Sequence, residues 1–381
     1  MKVLQITAAY KPAYVYGGPT MSVSELSEQL QVAGCDIQVF ATTANGTEEL
    51  NVTPGKPLLV DGVPVTYFTR LTKDHSHFSP ALLKALWRRV TNYDIVHIHA
   101  WWNLVSVLSC LIALWRRVPV VVSPRGTLST YSFQHRNSLI KTVVHKLINR
   151  PLLKKCYIHA TSATEAEDII QLVKPAGIFT LPNFVKLPPQ MAASKTPRQS
   201  QLRVLFYSRL DKKKGLELLL NALPLLRIPY QLTIAGSGDE EYTGQLKKIA
   251  QENQSDRYIT WAGFQSQHKF ELLQRHDILV LPSYNENFGN VVIESLSVGT
   301  AVLVSRFVGL ADYVNQHQLG WTCDTDSTSI AREIEAIYTK REQINEICLR
   351  APALIYNDFT GSTLANKYIS HYKQMIPHGS V

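Results

Sequence analysis

The strongest constraint on this chain is an alternation repeated along its length. Short runs rich in Val, Ile and Tyr recur, separated by helix-length segments. The first series is 2–7, 36–43, 65–69, 94–99, 119–123, 156–160 and 177–181. The second is 203–208, 231–235, 258–262, 277–281 and 301–305. Several runs are apolar without period-two alternation, the pattern of strands covered on both faces. Strands alternating with helices make βαβ units and parallel sheets. Between the series lies KLPPQMAASKTPRQSQ, residues 186–201, rich in Pro, Ser and Gln, which reads as a linker.

The expected fold is therefore α/β, with two doubly wound Rossmann-like domains facing across a cleft. The first is 1–185, joined by a C-terminal helix from about residue 359 to 381. The second is 202–358. Leu364, Tyr368, Ile369 and Tyr372 give that last helix an apolar face. At 45% hydrophobic and 18% charged, the 381 residues exclude disorder or coiled coil for the bulk.

The longest apolar stretch, 104–115, falls short of the roughly 18 residues a membrane span needs. The apolar run at the start is too short for a secretory core. Five cysteines without a CxxC suggest neither a disulfide framework nor a zinc site. Buried, reduced thiols in a cytoplasmic protein are the expectation.

Ligands of open α/β sheets bind beyond the carboxyl ends of the strands, so residues just after strands carry the chemistry. After the first run come Gly17 and Gly18, opening a helix whose N–H groups can approach a phosphate. No GxGxxG occurs, which disfavours a dinucleotide oxidoreductase. His97 and His99 share one strand face, and Trp101 and Trp102 follow. Arg125 follows the next strand and could bind an anionic group on an acceptor or a donor.

The second half begins with SRLDKKKG, which sets Arg209 and Lys214 at a strand end. A diphosphate leaving group needs such charge, because negative charge grows on it as the glycosidic bond breaks. Gly263 and Phe264 follow another strand, where freed backbone can meet a base edge. Then LPSYNENFGNVVIE leads from a strand into a helix, carrying Glu286, Asn287, Phe288, Gly289, Asn290, Val291 and Glu294. Asp324-Thr325-Asp326 is a DxD, but Asp326-Ser327 reads as a helix cap rather than a metal site.

Taken together, SRLDKKKG, AGSGDE, WAGF and LPSYNENFGNVVIES, in that order, resemble the group 1 (family 4) glycosyltransferases of GT-B fold. The likeness covers nearly the whole chain. It implies that Arg209 and Lys214 bind the diphosphate, and that Glu286 with the backbone from Asn287 to Val291 orients sugar and β-phosphate. Glu294 would take the ribose, with Gly17, Gly18, Gly263 and Phe264 completing the donor site. His99 would sit near the sugar, and Trp101, Trp102 and Arg125 on the acceptor side. Chemistry would be metal-independent, cofactor-free and retaining, without an enzyme nucleophile. The implied donor is a nucleotide sugar, UDP-glucose first. The implied acceptor is a glycan or lipid-linked glycan, in exopolysaccharide or heterocyst-envelope polysaccharide synthesis. Three positions depart from the family pattern: Asn287 stands for a Gly, Phe184 follows Pro182-Asn183, and Arg125-Gly126 replaces His-Gly.

The net charge is +9, and residues 84–155 hold twelve Lys and Arg against Asp94 alone. Leu83, Leu86 and Trp87, and Leu139, Val143, Val144 and Leu147, fall at helical spacing beside these Lys and Arg residues. Anionic membrane at the inner face of the plasma membrane is the partner such a face suggests. No nucleic-acid motif accompanies it. Two other readings share parts of the pattern. A nucleotide-sugar epimerase has the same architecture, and a two-lobed periplasmic binding protein has two such domains but no use for Arg209 with Lys214.

Overall fold

A computed structural model of the chain describes residues 1–128, 144–189, 200–265 and 268–376. The chain divides into two compact units, Met1–Val185 with Gly361–Val381, and Lys186–Thr360.

The first unit is built on an eight-stranded sheet. Its strands are β1 (Lys2–Thr7), β2 (Asp36–Thr42), β5 (Pro57–Val60), β6 (Val63–Phe68), β7 (Ile95–His99), β8 (Val120–Ser123), β9 (Tyr157–Ala160) and β10 (Gly177–Thr180). A separate two-stranded ribbon pairs β3 (Ala44–Asn45) with β4 (Glu48–Glu49). The order across the sheet is β10-β9-β8-β7-β1-β2-β6-β5, parallel except for the edge pair β5–β6. The chain winds one way from β1 through β2 to β6, then the other way from β7 to β10. The turning point is the β1–β7 pair, where Ile6 aligns with Ile98.

The second unit repeats the plan with six parallel strands. They are β11 (Leu202–Tyr207), β12 (Tyr230–Ala235), β13 (Ile259–Gly263), β14 (Ile278–Leu281), β15 (Ala301–Ser305) and β16 (Gly320–Cys323), in the order β13-β12-β11-β14-β15-β16. Here the winding reverses between β11 and β14. The apolar runs fold this way because both faces of their strands are covered: every residue of β7, β8, β14 and β15 is buried. β16 lies beyond the strand series read from the sequence. It is a half-buried edge strand whose Gly320 lies against the Val302 carbonyl.

The C-terminal helix Gly361–Met375 returns to the first unit. Leu364, Ala365, Tyr368 and Tyr372 enter the core that also holds Val3, Leu26, Leu30, Val39 and Tyr67. All five cysteines are buried, and none is in a disulfide. Among the described residues no helix is long and apolar enough to cross a membrane. Arg136, Leu139, Lys141 and Val143, and most of the linker, lie outside the described residues.

Because the last helix supplies core rather than surface, Leu364→Ala should cost about 3 kcal/mol, within the usual range for a buried leucine. Hydrogen exchange should place the loss in residues 1–185 and leave 202–358 protected. Loosening of the second unit instead would contradict this assignment of the helix.

Candidate active site

Each turning point brings the loops after two central strands side by side, which is where open α/β sheets hold ligands. In the second unit those loops follow β11 and β14. They are locked together by close backbone approach. Gly215 has φ 66°, and a Cβ there would stand 2.3 Å from the Pro282 carbonyl oxygen. Tyr284 N–H donates to Lys213 O at 3.0 Å. On the other side Gly236, at φ 152°, lies against Ser208, where an added Cβ would meet the Ser208 oxygen at 1.9 Å. Leu210 N–H donates to Ser237 O at 2.9 Å.

This packing fixes the cations. Asp211 accepts from Lys213 N–H at 2.9 Å and shapes the turn Lys212–Lys214. Lys214 pairs with Glu286. Burial pushes the Lys213 ammonium below its ordinary value, opposed by Glu286. Arg209 is exposed and forms no ion pair among the described residues. Glu286 is held by its backbone: its N–H donates to Phe307 O at 3.0 Å, and its carbonyl accepts from Gly309 N–H at 2.8 Å. Gly289 then caps the helix Asn290–Ser297. The first turn of a helix has no intrahelical acceptors for its N–H groups and carries the positive end of the dipole. Glu294, one turn in, pairs with Lys269. Lys269 also stands 5.5 Å from the Tyr207 ring centre, at the end of β11. The arrangement can take a diphosphate at Arg209, Lys214 and the helix start, with a hydroxyl-bearing group at Glu294.

In the first unit the turning point holds a buried polar network. His99 Nδ1 accepts from Arg125 Nε at 3.4 Å, which leaves Nε2 to donate to Gln5 Oε1 at 2.5 Å. The His97 ring lies 4.2 Å from His99, hydrogen-bonded to Ser123 and Tyr372 at 2.6 Å each. Ser123 also bonds His159 at 2.7 Å, and His159 bonds Tyr368 at 2.9 Å. Gly17, at φ 67°, caps the helix Gly18–Val32 beside this network.

Several expected residues take other places. His99 is enclosed rather than presented, at 1% exposure with both ring nitrogens engaged. Trp101 is a core residue at 2% exposure, because the left-handed turn at Ala100 and Trp102 sends it inward. Trp102 stays partly exposed and donates to Thr127 O at 2.8 Å. The Phe288 side chain is buried near Phe359, so only its backbone can meet a ligand. Phe264 is 70% exposed and free to stack. Asp326 caps the helix Ser327–Thr339 through Ser329 N–H, and Asp324 pairs with Arg306. Lys269 was not singled out from the sequence, since nothing local ties it to Glu294.

Residues 16–187 match the sequence family described as Glycosyltransferase Family 4, and residues 190–350 that of Glycosyl transferases group 1. The chain is a group 1 glycosyltransferase of GT-B fold. The transferase is 26% identical to a Mycobacterium tuberculosis glycogen synthase, over 96% of this chain and 92% of that one. It is 27% identical to a D-inositol 3-phosphate glycosyltransferase of Xylanimonas cellulosilytica, over 78% and 77%. In fold it is similar to the Anabaena protein HepE in complex with UDP and glucose, with TM-score 0.74, 17% identity and coverage of 98% and 100%.

The transferase's histidines make its stability depend on pH. Burial, then the Arg125 charge, drives His159 down to about 3. Burial, then His159, drives His97 well below its ordinary range. Their folded values lie below the unfolded value near 6.5, so the unfolded chain binds more protons as pH falls. Their contribution is complete above about 6.5 and is lost on acidification, roughly 2 kcal/mol for His159 between pH 7 and 5. Thermal melts should therefore drop across that window, and less steeply in His159→Gln. An equal slope in that variant would refute the assignment.

Proposed function

We propose that the transferase moves a hexose, best read as glucose, from a UDP-sugar to a glycan or lipid-linked glycan acceptor in polysaccharide assembly, with retention and without a metal. The observation that carries this is the exposed Arg209, without an ion pair among the described residues, at the same strand ends as Lys214, Glu286 and the start of Asn290–Ser297. The C1–O bond to the β-phosphate breaks with its electron pair going to the phosphate oxygen. Arg209, Lys214 and the helix dipole stabilise that charge. An acceptor hydroxyl bonds C1 on the face the diphosphate leaves, and its proton departs with the diphosphate. Glu294 takes the ribose hydroxyls, Glu286 orients the sugar, and His99 holds Arg125 at the strand ends. Complexes of HepE with UDP and UDP-glucose support the donor choice for a chain of this fold.

Incubation with UDP-, GDP- and ADP-sugars should show slow nucleotide release from UDP-glucose, unchanged by EDTA. Arg209→Ala should lower turnover about 100-fold. Full activity in that variant would overturn the site. Epimerised sugar without nucleotide release would favour the epimerase, and ligand binding without turnover the binding protein.

The reading extends to a peripheral contact with anionic membrane. Trp87, on Pro80–Arg89, and Trp115, on Leu104–Trp115, are 44% and 73% exposed. Their rings meet edge to face at 6.3 Å, and Arg116 stands 5.4 Å over Trp87. Exposed tryptophans among cations suit the headgroup region, where each Lys or Arg adds about 1 kcal/mol. Flotation with phosphatidylserine vesicles at low salt should capture the chain, and Trp87→Ala with Trp115→Ala should release most of it. Absence of capture sinks the membrane contact.

A further inference from the structure

Among the described residues of the first unit, Lys11, Arg70 and Arg125 turn inward, and their surroundings differ. Lys11 pairs with Glu28 at 2.5 Å and Asp61 at 2.9 Å. Arg70 pairs with Glu49 at 2.7 Å. Arg125 pairs with no carboxylate among the described residues. Its Nη1 donates to Ser22 Oγ at 2.8 Å and to Asn183 Oδ1 at 2.7 Å, and its Nε to His99 Nδ1 at 3.4 Å. All three acceptors are neutral. The carboxylate of Glu165 is turned to Gly126 and Thr161: it accepts from Gly126 N–H at 2.7 Å, Thr161 N–H at 2.7 Å and the Thr161 hydroxyl at 2.9 Å.

Withdrawing a guanidinium from water without a direct ion pair is costly, and the Glu165 carboxylate reaches Arg125 only through space. Here the cost is compounded by a left-handed backbone at Arg125 itself, φ 53°. The partners fix the guanidinium plane through Nε and Nη1. Nη2 donates to no described group, and the side chain keeps some exposure. A planar donor with one nitrogen unspent, held by neutral groups at a sheet turning point, suits an oxyanion. The diphosphate has its own cations in the second unit, at Arg209 and Lys214.

We infer that Arg125 anchors an anionic group on the acceptor, a carboxylate or a phosphate, so that the acceptor is an acidic sugar or sugar phosphate rather than a neutral glycan. The word acceptor rests on the transferase reading; the anion site does not.

Calorimetric titration of the full chain without nucleotide, using glucuronate, glucose 6-phosphate and glucose, tests it. At least one charged sugar should bind tenfold or more tighter than glucose, and which one does so separates carboxylate from phosphate. Arg125→Met should abolish that preference, and Arg125→Lys should keep part of it. Independently of any variant, the preferred sugar should slow hydrogen exchange at residues 125–128. Equal affinities for all three sugars, an unchanged preference in Arg125→Met, or protection of those amides by UDP but by neither charged sugar would overturn it. A separate UDP titration reports on the transferase reading alone, since its failure leaves the sugar preference readable.

Discussion

Both units depend on strand order. A sheet wound in one direction only would send successive connections over the same face and open no crevice at its carboxyl end. Reversal between β11 and β14, and between β1 and β7, separates two neighbouring connections and leaves their loops facing each other. In the second unit the loops after β11 and β14 then approach until backbone meets backbone, at Gly215 with Pro282, and the loop after β12 closes on Ser208 through Gly236. A β-carbon at either place would push the loops apart by an ångström or more. Arg209, Lys214 and Glu286 would lose their common position without any of them being changed.

The charges set in this frame are balanced differently in the two units. Lys214 with Glu286, and Lys269 with Glu294, are closed on each other. These pairs are largely buried but keep some solvent contact. On the proposed reading, a diphosphate would take the place of the glutamate beside Lys214, and a carboxylate so released would accept a hydroxyl. The pairs hold the side chains extended and ready, so little rotamer entropy remains to be lost on binding. In the first unit Arg125 has only neutral partners, and its position is set by three directed hydrogen bonds rather than by attraction to a carboxylate.

Much of this was legible in the sequence, and the limits are physical. Strands buried on both faces announce themselves as unbroken apolar runs, so β1 and β15 fall on the predicted residues. β5, β16 and the β3–β4 ribbon are edges or isolated pairs whose side chains are exposed or half-buried apart from Ala44 and Cys323, so they lack the unbroken apolar run of a covered strand. Arg209, Lys214 and Glu286 stand out as candidates because each lies in a loop just beyond a strand, and Glu294 because it lies on the helix that such a loop opens. The partners do not. Arg125 meets Ser22 and Asn183 across 103 and 58 residues of chain, and Lys269 meets Glu294 only through tertiary packing. Trp101 and Trp102 look equivalent on paper. Backbone handedness at Ala100 and Trp102 sends one into the core and leaves the other at the surface.

The C-terminal helix shows how apolar and polar contacts divide the work of docking. Leu364 and Ala365 supply burial, which is favourable for many rotations and offsets of a helix on a surface. Tyr368 and Tyr372 are fully buried too, but each must place its hydroxyl on a histidine, His159 and His97 respectively. A rotation of the helix would leave two hydroxyls and two imidazoles buried without partners, at about 1–3 kcal/mol for each group. The polar seam therefore selects one register among those the apolar face would accept. The same histidines lead through Ser123 and the His97–His99 stack to Arg125. The contacts that fix where the end of the chain lies are thus continuous with those that fix the guanidinium at the strand ends.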